Sequence, residues 1–229
     1  MNYSYYLLII FLLFTIYFVT YMDLLDKKEG LTNKSTIILF GDSMLNNTTY
    51  IDIDSNNNDN SVPGLIKQQS DANLQNYAKD GATIEDCYSQ FRALSTTPTT
   101  PTTPTNATIF ISAGGNDIIN ENRNNVVDNS FVSSLFQKYS KMVLQIKAKF
   151  PNAIICLLNI YKPVKPRYKR LSDSIDQWNS LIEQFAQKNG FKIIQTNKLL
   201  ITESDFIYDY EPSATGGQKI VDAILANAI

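Results

Sequence analysis

The chain has 229 residues, 18% of them charged, a formal net charge of −2 and no histidine. That balance gives no long-range field favouring nucleic acid, and the length suits one well-packed domain behind a short leading segment. Cys87 and Cys156 are the only cysteines, too few for a disulfide scaffold, and with His absent no transition-metal site is expected.

Residues 1–22 carry no charged side chain. Their run over 3–22, dominated by Leu, Ile, Phe and Tyr, is long enough to cross a bilayer as a helix. It has no Lys or Arg before it and no Ala-x-Ala-like exit, which favours an uncleaved anchor over a cleaved signal peptide. Tyr3, Tyr5 and Tyr6 at one end and Tyr17 and Tyr21 at the other resemble interfacial aromatic belts. The expected organisation is an anchor segment over residues 1–30 and a domain over 31–229. The expected location is a single-pass membrane protein with a lumenal or extracellular domain. Lys27, Lys28 and Lys34 pull the other way, toward a cytosolic face, so orientation stays open. Sequons begin at Asn33, Asn46, Asn47 and Asn106, about as many as this composition gives by chance.

Strand-like apolar runs then alternate with helical patterns. Residues 35–40 read as a strand and 74–78 as a weaker one. Over 83–94, Ile84, Cys87, Tyr88 and Phe91 recur at helical spacing. Residues 107–112 form a third strand. Residues 130–150 form an amphipathic helix with Leu135, Tyr139, Met142, Val143, Ile146 and Phe150 on one face, stopped by Pro151. A continuous apolar strand over 153–160 suits a sheet covered on both faces, and Cys156 within it reads as a small core residue. Residues 172–189 form a helix striped by Ile175, Trp178, Leu181, Ile182 and Phe185, with Gly190 as its C-cap. A fifth strand at 191–195 and a helix at 217–228 complete the series. Strands alternating with helices predict an α/β fold with an open parallel sheet between helical layers. Two polar segments interrupt it: the Asn/Asp run at 55–60 and the Thr-Thr-Pro repeat at 96–105, which favours an extended surface loop.

Such sheets bind ligands beyond the carboxyl ends of their strands. Three motifs fall there. Gly41-Asp42-Ser43-Met44 follows the first strand, where a hydroxyl has rigid backbone behind it and space in front. Asp80-Gly81-Ala82-Thr83 follows the second, and Gly81 permits close backbone approach. Gly114-Gly115-Asn116-Asp117 follows the third and offers an amide donor. Each alone reads equally well as a turn. Residues 161–170 hold five cations, Lys162, Lys165, Arg167, Lys169 and Arg170, and no acid. They read as a solvated loop or as a basic lip for anionic headgroups or an acidic substrate.

Together these blocks resemble the SGNH (GDSL-type) hydrolase family, over about residues 35–229. The resemblance implies a three-layer α/β/α fold with a flavodoxin-like parallel sheet of about five strands. It implies a serine esterase that needs no cofactor and acts on acyl esters of lipids, glycans or small molecules. Ser43 would be the nucleophile; the oxyanion would meet Ser43 and Gly81 backbone N–H groups and the Asn116 amide. Asp42, Gly115 and Asp117 would border the substrate. The family's last block is Asp-x-x-His-Pro with a Gly five residues after the His. Here Glu211-Pro212 and Gly216 keep that spacing, so Glu211 stands at the His position, and the place three before it is Tyr208. The expectation is that Glu211 serves as base for Ser43, tuned by repulsion from Asp209 or Asp205. The alternatives are a pocket that binds acyl or glycan ligands without turnover, and an O-acyltransferase.

Overall fold

The computed structural model describes residues 13–22, 34–51, 58–95, 106–124 and 127–228. The chain divides into two units, Met1–Lys34 and Ser35–Ile229. In the first, residues 13–22 are helical and largely exposed; the rest of the expected span over 3–22 lies outside the described residues. Among the described residues no helix is long and apolar enough to cross a membrane.

The second unit is built on five strands: β1 (Thr36–Gly41), β2 (Asn73–Asn76), β3 (Ala107–Ser112), β4 (Ile154–Leu158) and β5 (Lys192–Ile194). Their order is β2-β1-β3-β4-β5 and every pairing is parallel. This is the flavodoxin-like order, in which the chain reverses direction across the sheet between β1 and β3. The central strands β1 and β3 are buried along their whole length, whereas the edge strand β2 is exposed at both ends and half-buried between them.

The two-residue period of a strand sends alternate side chains to opposite faces. Ile38, Phe40, Ile109, Ile111, Ile155 and Leu157 enter one core layer, and Ile37, Leu39, Phe110, Cys156 and Leu158 enter the other. The first layer is closed by helices α2 (Ile84–Ser95), α4 (Asn129–Lys149) and α5 (Ser172–Asn189). The second is closed by α1 (Val62–Gln69) and α7 (Ala214–Asn227). Cys87 and Cys156 fall in opposite layers and are free thiols.

Local chemistry sets the ends of these helices. Ser61 accepts from the Gly64 N–H and Pro63 sits in the first turn of α1. Asp128 caps α4 through the Phe131 N–H at 2.8 Å. Gly190 closes α5 in the left-handed conformation at φ +67°. The last helix begins three residues earlier than its periodicity suggests, because Ser213 accepts from the Gly216 N–H and caps it.

Several elements have no counterpart in the sequence reading. They are α3 (Gly115–Asn124), the short α6 (Thr196–Leu199), two 3-10 turns, and a hairpin of β6 (Phe206–Ile207) and β7 (Glu211–Pro212). The Thr-Thr-Pro segment and half of the Asn/Asp run, residues 55–57, lie outside the described residues.

Candidate active site

Ser43 follows β1 in a short turn that Asp42 organises. The Asp42 carboxylate accepts from the Met44 N–H at 3.1 Å and from the Ser112 hydroxyl at 2.7 Å, tying the turn to the end of β3. Gly41 makes that junction possible. It holds φ +141°, and a Cβ there would stand 1.9 Å from the Ser112 carbonyl oxygen. Gln90, from α2, clamps the same residue: its amide accepts from the Gly41 N–H and donates to the Gly41 carbonyl, both at 2.9 Å. The Ser43 turn is therefore pinned from two sides.

Glu211 reaches the same place from the other end of the chain. The β6–β7 hairpin pairs Ile207 with Glu211, leaving Tyr208, Asp209 and Tyr210 as the turn. Tyr208 and Asp209 both sit at positive φ, 51° and 80°, which non-glycine residues adopt at a cost. Contacts hold the strained turn in place: Arg167 pairs with Asp209, and the Tyr161 hydroxyl donates to the Tyr210 carbonyl. Asn47 joins the two halves of the site. Its amide donates to the Pro212 carbonyl at 3.1 Å, and its side-chain oxygen accepts from the Val62 N–H at 2.7 Å. Asn47 is fully buried, so its sequon offers no amide for glycosylation.

Asp42, Ser43, Gly115, Asn116 and Glu211 line one pocket. Its remaining wall is largely apolar, with Met44, Ile118, Ile160, Tyr161, Leu171 and Ile175 among its residues. Burial raises the Glu211 carboxyl above its ordinary range; hydrogen bonding with Ser43 lowers it and the Asp80 charge raises it further. Glu211 Oε2 is buried without a hydrogen-bond partner. Burial also pushes Asp42 up to about 7, against its bonds to Ser112 and Met44.

Asn116 opens α3, and its amide donates to the Ala82 carbonyl at 3.0 Å. An amide nitrogen carries two protons, so a second donor remains for a ligand oxygen. Gly114, at φ +105°, lets this helix start against Trp178, whose ring would lie 2.3 Å from a Cβ there. Gly81 also has positive φ, +70°, but lines a separate cavity with Asn46, Lys79 and Asp80.

The structure redistributes three other candidates. Asp117 accepts from the Ile84 N–H at 3.0 Å and so anchors the start of α2; burial raises it to about 6. Asp205 does not act on Glu211. It is fully buried and accepts from the Ile201 and Thr202 N–H groups and the Thr202 hydroxyl, each at 2.9 Å, while Lys219 pairs with its other oxygen at 2.7 Å. Burial would raise its carboxyl, but these partners hold it below the ordinary range. Asp209 turns to Arg167. The like charge that acts on Glu211 is Asp80, which also accepts a hydrogen bond from Tyr50. The basic segment is largely neutralised as well: Lys162, Lys165 and Arg167 pair with Asp176, Glu203 and Asp209. Among the described residues no group of three or more His, Cys, Asp or Glu side chains is placed to hold a metal ion.

Sequence reasoning missed Gln90, Asn47 and Asp80. Asp80 sits in a motif singled out for its glycine, whereas Gln90 and Asn47 act across 49 and 165 residues of chain and carry no local pattern.

Solved structures share this architecture. A lipolytic protein of the G-D-S-L family from Veillonella parvula superposes with a TM-score of 0.65 at 18% identity, covering 84% of this chain and 97% of that one. Phospholipase A1 from Streptomyces albidoflavus gives 0.63 at 17%, covering 86% and 100%. A psychrotrophic esterase from Pseudoalteromonas, in a structure inhibited by monoethylphosphonate, gives 0.58 at 19%, covering 85% and 96%. At these identities the likeness speaks for the fold alone. No curated protein matches the chain by sequence. The family model for GDSL-like lipases and acylhydrolases, however, matches residues 39–218. With that span of sequence, and Ser43 and Asn116 facing one pocket, the chain belongs to the GDSL-like lipase/acylhydrolase family.

Proposed function

We propose that the protein is a serine esterase that works without histidine, Glu211 standing in as the base. The observation that supports this reading is that Ser43 and Glu211, both buried, line one mostly apolar pocket. A carboxylate at its ordinary pKa is a weak base toward a hydroxyl; burial makes it a stronger one. Glu211 accepts the Ser43 proton as the serine oxygen attacks the ester carbonyl. The Asn116 amide and backbone N–H groups beside Ser43 stabilise the oxyanion. Collapse breaks the bond to the alcohol, which takes the proton back from Glu211. Water then attacks the acyl-serine, again losing its proton to Glu211, and the acid leaves as Ser43 is restored. The reaction needs no cofactor.

The apolar run over residues 3–22 supports a form held at a membrane by an N-terminal anchor. Retention of the full chain in carbonate-washed membranes, and its loss on deleting residues 1–30, would test that part.

One observation favours a binding domain without turnover. Asp205 and Asp209 are committed to other partners, so neither orients Glu211. Labelling by a fluorescent organophosphonate separates the two readings. The esterase reading requires labelling of the wild type and none of Ser43→Ala. An unlabelled wild type supports the binding reading.

A further inference from the structure

The turn that precedes Glu211 sets an aromatic ring beside the site. Tyr208 and Asp209 hold positive φ, 51° and 80°, one after the other. Gly and Asn adopt that region at least cost, whereas a tyrosine there is strained. Strain of this kind persists where the surrounding structure enforces it, and it gathers at ligand clamps. Here it turns Tyr208 outward. The residue is 69% exposed, more than any other large apolar or aromatic side chain among the described residues. It belongs to neither core layer. It meets Tyr50 edge-on, with ring centroids 6.0 Å apart, which leaves a broad face open to solvent.

The groups around that ring point to its occupant. The Tyr50 hydroxyl donates to Asp80, whose charge acts on Glu211. Lys79 lies exposed beside Asp80 and lines the same cavity. On the other flank, Arg167 pairs with Asp209 and stands 5.1 Å over the Tyr168 ring. Tyr168 in turn packs edge-on against Tyr210, which lines the pocket of Ser43. Charges of both signs are therefore interleaved with aromatic surface. An anion would meet Asp80, and a cation would meet Arg167 and Lys79. An alkyl chain would cover these groups without pairing them, at a cost in free energy. A neutral molecule with one apolar face and a fringe of hydroxyls suits them all. Its face stacks on the ring, while its hydroxyls donate to the carboxylates and accept from the cations. A pyranose has that form.

We infer that Tyr208, flanked by Asp80 and the Arg167–Asp209 pair, binds a neutral sugar ring at the rim of the site. Joined to the esterase reading, on which this consequence alone rests, the substrate is an ester carried by a saccharide.

Saturation-transfer NMR on the full chain tests the binding without requiring turnover. The probes are methyl β-D-glucopyranoside, methyl β-D-xylopyranoside and N-acetylglucosamine. Sorbitol serves as a polyol without a ring face, and tetramethylammonium as a cation. The expected result is millimolar binding of at least one cyclic sugar, with strongest saturation at its ring C–H protons, and no binding of sorbitol. Asn tolerates positive φ, so Tyr208→Asn should keep the wild-type Tm and weaken binding by at least about fivefold. Tyr208→Phe, which keeps the ring, should keep the binding. The inference is overturned if no cyclic sugar binds, if sorbitol binds as well as the sugars, or if Tyr208→Asn binds like the wild type. Preference for tetramethylammonium over the sugars also overturns it. If sugars bind and their acetates are not hydrolysed, the sugar site stands and the esterase reading fails. If p-nitrophenyl acetate is hydrolysed and no sugar binds, the esterase reading stands and the sugar site fails.

Discussion

Ser43 and Glu211 are 168 positions apart in sequence, yet each is less than a tenth exposed and both line one pocket. Burial is the main reason the Glu211 carboxyl titrates above its ordinary range, and the charge of Asp80 adds to it. On the proposed mechanism, removing that charge makes the base weaker but available at lower pH. For Asp80→Asn we expect the acidic limb of the kcat/KM profile to move down by up to about one unit, with little change in Tm. An unmoved limb would show that burial alone sets the base.

Asp42 predicts a stability effect of definite sign. Its carboxyl is raised from 3.8 to about 7, so between those values the folded state binds a proton that the unfolded chain has lost. Stability from this group is fully present below the unfolded value and declines as pH rises through the folded one. Asp42→Asn keeps an acceptor for Met44 and Ser112 and does not titrate. Relative to the wild type, it should gain stability from pH 4 to pH 7, by up to about 4 kcal/mol at neutral pH. Urea unfolding at several pH values measures this; a constant difference would contradict it.

Asn47 is the strut between the Ser43 turn, the start of α1 and the strand that carries Glu211. Asn47→Asp keeps the bond from Val62 but places a carboxylate oxygen against the Pro212 carbonyl. We expect a loss of about 1–3 kcal/mol in stability and a larger fall in kcat than rise in KM, because the misplaced group is the proposed base. Kinetics beside a denaturation curve check both parts. Equal effects on kcat and KM would count against a positioning role.

The glycines separate structural from chemical demands. At Gly41 a Cβ would collide with the Ser112 carbonyl at 1.9 Å, so Gly41→Ala should abolish soluble expression or cost several kcal/mol. At Gly81 nothing lies within 4 Å, and Gly81→Ala should cost only about 1 kcal/mol of backbone strain. That variant keeps its N–H, so kcat should hold within a few-fold. A large loss would place the Gly81 backbone at the reacting centre.

The parallel sheet was legible because its strands are apolar runs separated by helices of strong periodicity. Residues 107–112 and 172–189 read with the bounds they have in the structure. The hairpin carrying Glu211 was not, since strands of two residues are too short for any period to show. Nor was α3: its sequence Gly-Asn-Asp-Ile-Ile-Asn-Glu-Asn-Arg-Asn has few strong helix formers and only Ile118 and Ile119 to dock it. Asp205 was misread for a different reason. An acidic cluster suggested mutual repulsion, while Thr202-x-x-Asp205 is a capping box that occupies the carboxylate locally. Glu211 was singled out by its place in the block that resembles the family's last motif, and its environment came only from tertiary packing.

On the proposed mechanism a buried glutamate does the work of histidine. The most direct measurement is p-nitrophenyl acetate hydrolysis from pH 5 to 9 by the wild type, Ser43→Ala and Glu211→Gln. The proposed mechanism requires activity in the wild type that rises with pH through a single titration above the ordinary glutamate range. It predicts loss to background in Ser43→Ala and a fall of roughly 10²–10⁴ in Glu211→Gln, with the pH limb gone. Wild-type rates in Glu211→Gln, or an unchanged limb, would contradict it.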